Sequence, residues 1–187
     1  MNLLNRVFDP ISPLRTAWDG GHIGDEEALG LAGAVNLVPL MAAAESRRDQ
    51  YHGSVISYSR KVFIPLTHLC RDVCHYCTFA HSPRHGENAF LTHKEVLKIA
   101  RTGAAAGCHE ALFTLGDKPE KRYGLARTEL EFFGHETTLS YLAECSQLVF
   151  EETGLFPHVN PGLMDSDEIT ALRQVSVSQG AMLESVS

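Results

Sequence analysis

No stretch of this chain approaches the roughly 20 consecutive apolar residues that a helix needs to cross a bilayer. The first ten residues, Met1 to Pro10, hold Arg6 and Asp9 and lack an apolar core, so they do not read as a secretory signal. Positive charge is also short: 16 Lys and Arg stand against 23 Asp and Glu, a net charge of -7 that repels a phosphate backbone. Neither a membrane nor nucleic acid is an expected partner, and a cytoplasmic location is the expectation. Low-complexity segments are absent from the sequence. So is an even, dispersed set of cysteines. The five present include three within eight residues, which argues against a disulfide framework and for metal ligation in a reducing compartment. The other two, Cys108 after Gly107 and Cys145 inside an amphipathic pattern, read as small buried hydrophobes.

The rest of the composition, 44% hydrophobic and 21% charged over 187 residues, is that of a globular chain able to bury one core. Residues 1–60 read as a helical N-terminal extension. Gly20, Gly21 and Gly24 break it, and helices are predicted over residues 25–33 and 36–50, with apolar positions spaced for one face. From residue 61 strands and helices alternate. Residues 62–67 form the first predicted strand, and Thr92 with Glu95 is a capping box opening a helix that runs to about Ala106. A second strand is expected at 111–115. A helix follows at 138–153, with Leu139, Leu142, Ala143, Ser146, Val149 and Phe150 on its apolar stripe and Gly154 at its end. A third strand is expected at 156–160, a helix capped by Asp165 through about Val175, and a fourth strand at 181–186. Apolar strands alternating with helices imply an α/β fold with a parallel sheet. A closed (β/α) barrel needs roughly 250 residues. Residues 61–187 therefore read as about four βα units, the N-terminal half of such a barrel, and as a fragment or a chain that needs a partner.

The chemistry concentrates after the first strand. Cys70-Arg71-Asp72-Val73-Cys74-His75-Tyr76-Cys77 spaces three thiols as C-x3-C-x2-C on a loop at the C-terminal end of a strand, where barrels build their sites. Three thiolates can hold a [4Fe-4S] cube and leave one iron open. A structural zinc site completed by His75 or His81 is the alternative, although no second C-x2-C follows downstream. Three unliganded thiols would leave reactive groups crowded together. Tyr76 can pack on a nucleobase or simply fill the loop.

This loop resembles that of the radical S-adenosylmethionine enzymes, with an aromatic residue before the last cysteine. The resemblance narrows over residues 57–67 running into 70–80, and again over 113–120 and 158–164, to the FO synthases (7,8-didemethyl-8-hydroxy-5-deazariboflavin synthases), in particular their ring-closing component. It covers most of residues 22–187. It implies a radical S-adenosylmethionine barrel in which Cys70, Cys74 and Cys77 ligate a [4Fe-4S] cluster and Tyr76 contacts the adenine of S-adenosyl-L-methionine. Gly116 and Asp117 stand where the superfamily carries a Gly-Gly-Glu-like turn for the methionyl amino group, with Leu115 and Asp117 as departures from it. Glu184 matches a ribose- or methionine-holding position, or is simply solvated. His158 and Asn160, expected at the mouth of the third strand, are candidate substrate contacts, or Asn160-Pro161-Gly162 is only turn chemistry. The implied reaction is radical ring closure of a tyrosine-derived hydroxybenzyl–ribitylaminouracil adduct with loss of ammonia, in coenzyme F420 biosynthesis. An electron donor and the component that makes the adduct are the implied partners. A radical enzyme of menaquinone or thiazole assembly, or an inactive cluster- or zinc-binding fragment, would carry the same loop, and half a barrel is expected to turn over weakly or not at all.

Overall fold

A computed structural model describes residues 13–32 and 36–182. Its contacts divide the chain into two units, Met1–Tyr58 and Ser59–Ser187. The first unit carries α1 (Pro13–Trp18), α2 (Asp25–Leu31) and α3 (Val38–His52), with α1 packed on α3. The one-sided apolar spacing expected here does not form. α2 buries nothing, and α3 buries only Pro39 and Ala43 while Val38 and Met41 stay exposed. The reason is local: residues 37–44 are apolar without interruption, so they surround the first turns of α3 instead of recurring every three to four positions.

The second unit is a parallel sheet of β1 (Lys61–Pro65), β2 (Glu110–Thr114), β3 (Phe156–Asn160) and β4 (Ser178–Gln179), in that spatial order. Its connections carry α4 (His93–Ala105), α5 (Gly124–Phe133), α6 (Thr138–Thr153) and α7 (Ser166–Arg173). This is the α/β arrangement expected from the alternation, with consecutive strands adjacent and parallel as in one sector of a barrel. Side chains alternate across each strand. Ile64, Phe113 and Val159 are fully buried on the helix-covered face, each contributing about 1.5–3 kcal/mol by burial. Gly103 of α4 lies so close to β1 that a β-carbon there would sit 2.3 Å from Val62, which is why a residue of poor helix propensity is retained mid-helix. Lys61, Phe63, Glu110, Leu112, His158 and Asn160 alternate onto the opposite face.

Structure and expectation differ at β4 and on the buried face of α6. β4 occupies Ser178–Gln179, not 181–186: Val177 donates to Pro157 and Gly180 to Val159, so the ladder with β3 selects the paired residues. Met182 is exposed, and residues 183–186 lie outside the described residues. On α6, Tyr141 and Cys145 are buried in place of Phe150, which instead stacks on Phe156, with both rings half-exposed. Burial pushes the Cys145 thiol up to about 12, the state of an inert core residue, and Cys108 packs half-buried against the same core. Among the described residues no helix is long and apolar enough to cross a membrane.

Candidate functional site

The segment between β1 and α4 is held at both ends. At its start, the Thr67 hydroxyl accepts from Leu69 N–H at 3.0 Å and donates to the Ala89 carbonyl at 2.6 Å, and Gly116 N–H donates to the Thr67 carbonyl at 3.2 Å. At its finish, the Glu129 carboxylate of α5 accepts from Ala89 and Phe90 N–H at 2.7 and 3.1 Å, and Leu91 N–H reaches the Leu66 carbonyl at 2.9 Å. The cysteine loop is carried between these anchors. Cys70, Cys74 and Cys77 line one cavity of about 280 Å³ together with Asp72, His81, Arg122 and Tyr123.

The three thiols differ in setting. Cys70 is half-buried, whereas Cys74 and Cys77 are exposed. Burial pushes the Cys70 thiol up, opposed by the backbone amides of Asp72 and Asp117. Asp117 N–H donates to Cys70 Sγ at 3.2 Å, and Ala80 N–H lies 3.5 Å from Cys77 Sγ. Amides aimed at sulfur suit thiolate ligands of an iron–sulfur group. Among the described residues no three His, Cys, Asp or Glu side chains are already gathered around a metal-sized point. The donor set and the shared cavity fit a cluster, and the exposed Cys74 and Cys77 are the thiols with room to move onto it.

β2 ends directly against this loop. A β-carbon on Gly116 would lie 2.0 Å from the Leu69 carbonyl oxygen and 2.7 Å from Cys70 Cβ, so only glycine permits the approach. Asp117 is 6% exposed. Its Oδ2 accepts from Arg71 Nε and Nη2 at 3.1 and 2.9 Å, while its Oδ1 is buried without a partner. The next residue, Lys118, is in the left-handed region at φ 36° and bonds Glu168 of α7 at 2.7 Å.

The structure brings some of the other candidates to this end of the sheet. Asn160 closes β3 opposite Thr114, and Gly162 of the turn that follows packs so close to Asp117 that a β-carbon would sit 2.7 Å from Asp117 Cβ. Asn160 Oδ1 is buried and unpartnered. Tyr76 is 54% exposed. Glu184 lies outside the described residues.

His158 is not at the strand mouth, where the sequence reading put it. It sits two residues inside β3, with Ser178 Oγ 2.9 Å and Lys61 Nζ 3.4 Å from Nδ1 and the Glu110 carboxylate 3.7 Å away. Lys61 and Glu110 form an ion pair at the first positions of their strands, so this network belongs to the other end of the sheet. The Lys61 ammonium, with the Ser59 hydroxyl, holds the Glu110 carboxyl below its ordinary value of 4.5. A depressed carboxyl contributes stability that is complete above the unfolded value and is lost as pH falls through the folded one. Glu110→Gln is therefore expected to be less stable than the parent at pH 7, with the difference closing as the pH is lowered below 4.5, read from urea midpoints.

Arg71, Arg122 and Tyr123 were not singled out by sequence. Arg122, which lines the cysteine cavity with Tyr123, donates from Nη1 to the Arg71 carbonyl at 3.1 Å. A charge immediately after the first cysteine was the available signal, but its acidic partner lies 46 residues away.

No family model matches the chain. It is 49% identical over 185 residues to the FO synthase of Nocardia farcinica and 46% identical over 190 residues to that of Mycobacterium tuberculosis. Each match covers 93% of this chain, and 21% and 22% of those proteins respectively. The 7,8-didemethyl-8-hydroxy-5-deazariboflavin synthase of Methanopyrus kandleri is 42% identical over 133 residues, covering 71% of this chain and 40% of that protein. Among solved structures, methylornithine synthase (PylB) shares the fold at TM-score 0.60 and 24% identity, covering 88% of this chain and 45% of its own. The [FeFe]-hydrogenase maturase HydG of Carboxydothermus hydrogenoformans does so at TM-score 0.60 and 20% identity, over 87% and 35%. The chain thus spans about a fifth of the length of the actinobacterial relatives it matches. Over 93% of its own length, cysteine loop included, it resembles the FO synthases.

Proposed function

We propose that this chain provides the cluster- and nucleotide-binding part of a radical S-adenosylmethionine enzyme of FO synthase type, in the ring-closing step of coenzyme F420 biosynthesis. The observation that carries the proposal is the single cavity of about 280 Å³ lined by Cys70, Cys74 and Cys77, against which β2 delivers a peptide N–H to Cys70 Sγ. The identity with FO synthases, together with the name of the Methanopyrus kandleri relative, supports this chemistry over menaquinone or thiazole assembly.

Cys70, Cys74 and Cys77 would hold a [4Fe-4S] cluster, which would supply the electron for cleavage of S-adenosyl-L-methionine to methionine and a 5'-deoxyadenosyl radical. The residues around it have separate tasks. Asp117 Oδ1, buried and unpartnered, is an acceptor suited to the methionyl ammonium, while Oδ2 is committed to Arg71. Gly116 lets the end of β2 approach the cysteine loop closely enough for that contact. Tyr76, within the loop immediately before Cys77, is assigned to the adenine, and Glu184 to the ribose or methionine portion. Asn160 Oδ1, unpartnered at the end of β3, is assigned to the hydroxybenzyl–ribitylaminouracil adduct. His158, held toward the opposite end of the sheet by Lys61, Glu110 and Ser178, is not assigned a contact to the adduct. A hydrogen atom of the adduct would pass to the 5'-deoxyadenosyl radical to give 5'-deoxyadenosine. Ring closure would then release ammonia, and the closed ring would give up a proton and the one electron spent on the cleavage, with an electron donor and the adduct-forming component as partners.

The test is anaerobic incubation of the reconstituted chain with dithionite and S-adenosyl-L-methionine, with and without the adduct. Release of 5'-deoxyadenosine is the expected result, with little or no fluorescent deazaflavin when the adduct is supplied to this part of the barrel alone. A colourless protein that retains zinc and releases no 5'-deoxyadenosine would favour a structural site completed by His81, which also lines the cavity.

A further inference from the structure

Arg71 and Asp117 are joined twice. The guanidinium donates to Asp117 Oδ2 from Nε and Nη2, and Arg71 N–H donates to the Asp117 carbonyl at 2.9 Å. The residue so gripped from both sides is the one whose N–H points at Cys70 Sγ. Arg122 holds the Arg71 carbonyl from outside. The Arg71 side chain is 28% exposed and that of Asp117 7%, so the pair lies where solvent screens charge poorly.

We infer that Arg71 is a positioning residue which, acting through Asp117, keeps a peptide N–H on the Cys70 sulfur and raises the reduction potential of the cluster bound there. This rests on the cluster assignment made above. Reduction adds one negative charge to the group. An N–H dipole directed at a ligating sulfur, and a cation that neutralises the neighbouring carboxylate, both favour the reduced state. Removing Arg71 loosens the N–H and leaves Asp117 as an uncompensated anion beside Cys70. Both effects lower the potential. Removing the Asp117 charge instead leaves the N–H in place and Arg71 as a net cation, because an amide oxygen still accepts from the guanidinium. That change does not lower the potential. A brace with no electrostatic role would move both variants the same way, or neither.

The experiment is a mediator-buffered redox titration, followed by electron paramagnetic resonance, of the whole reconstituted chain and its Arg71→Met and Asp117→Asn variants, without S-adenosyl-L-methionine. Iron and sulfide per chain and thermal melts are recorded alongside. Arg71→Met is expected to lower the one-electron equilibrium constant for reduction at least tenfold, about 59 mV, while Asp117→Asn does not lower it. An Arg71→Met potential equal to the parent's, or an equal fall in both variants, overturns the inference. If Arg71→Met loads no cluster, Arg71→Lys is titrated in its place, because it keeps the charge but offers one compact donor for two. It must then lower the potential, and an unchanged value overturns the inference. A parent chain that takes up no iron and sulfide sinks the cluster assignment itself. A loaded parent with indifferent variants sinks only the role of Arg71.

Discussion

Replacing Cys74 or Cys77 with serine is expected to abolish iron and sulfide uptake on anaerobic reconstitution and, with it, release of 5'-deoxyadenosine. A hydroxyl is a poor ligand for this type of cluster, and a chain with two thiolates cannot hold three corners of a cube. The same substitutions should leave the thermal melt of the apoprotein almost unchanged, because both side chains are exposed and changes at such sites usually fall within about 0.5 kcal/mol. Cys145→Ser should do the reverse. It places a hydroxyl in the buried core of α6, where Tyr141 is the nearby polar group, and lowers stability while leaving iron content intact. Metal analysis beside calorimetry separates the two classes. Full cluster uptake by both serine variants of the loop would exclude these thiols as ligands.

Gly116→Ala is expected to have nearly as large an effect by a different route. The added methyl would stand 2.0 Å from the Leu69 carbonyl oxygen, and backbone cannot rotate away as a flexible side chain can. Either β2 or the cysteine loop has to give, at a cost of about 3 kcal/mol, the upper end of what overpacking usually costs. The displaced partner is the peptide next to Cys70, so cluster loading should fall with stability. A variant that melts like the parent and loads a full cluster would show that this close approach is dispensable. Gly30→Ala, with nothing within 4 Å of the added carbon, is the matched control.

The parts of the fold readable in sequence are those with local causes. Thr92 and Glu95 form the capping box that starts α4, and Asp165 with Glu168 does the same for α7. Gly154 ends α6 in a left-handed turn at φ 70°, and β3 occupies residues 156–160 as expected, ahead of Pro161-Gly162. Elements without such signals were harder to see. α5, absent from the sequence-based expectations, has no capping side chain at Tyr123 and is marked by the spacing of Ala126, Leu130 and Phe133 and by the left-handed Gly134 at its end. α7 ends at Arg173, two residues before the expected limit. The paired residues of β4 follow from its ladder with β3, which no property of residues 178–186 announces.

The candidate site divides in the same way. The spacing of the three cysteines is local, and it identified them. That Asp117 would be held by Arg71, or that Gly162 would close over it, depends on loops from three different strands meeting in space. His158 and Asn160 lie two residues apart on one strand and so on one face, yet the network with Lys61 and Glu110 holds His158 toward the opposite end.

The double anchoring of the cysteine segment bears on how a metal centre is acquired. With Thr67 fixed at one end and Ala89 to Leu91 at the other, the chain between them is already a closed arc. Ordering a residue costs about 1–2 kcal/mol, and for a bound cluster that toll would fall mainly on the exposed positions around Cys74 and Cys77. A cluster bound as proposed would then be gained or lost through a change confined to that arc, with the two anchors and the sheet beneath them left in place.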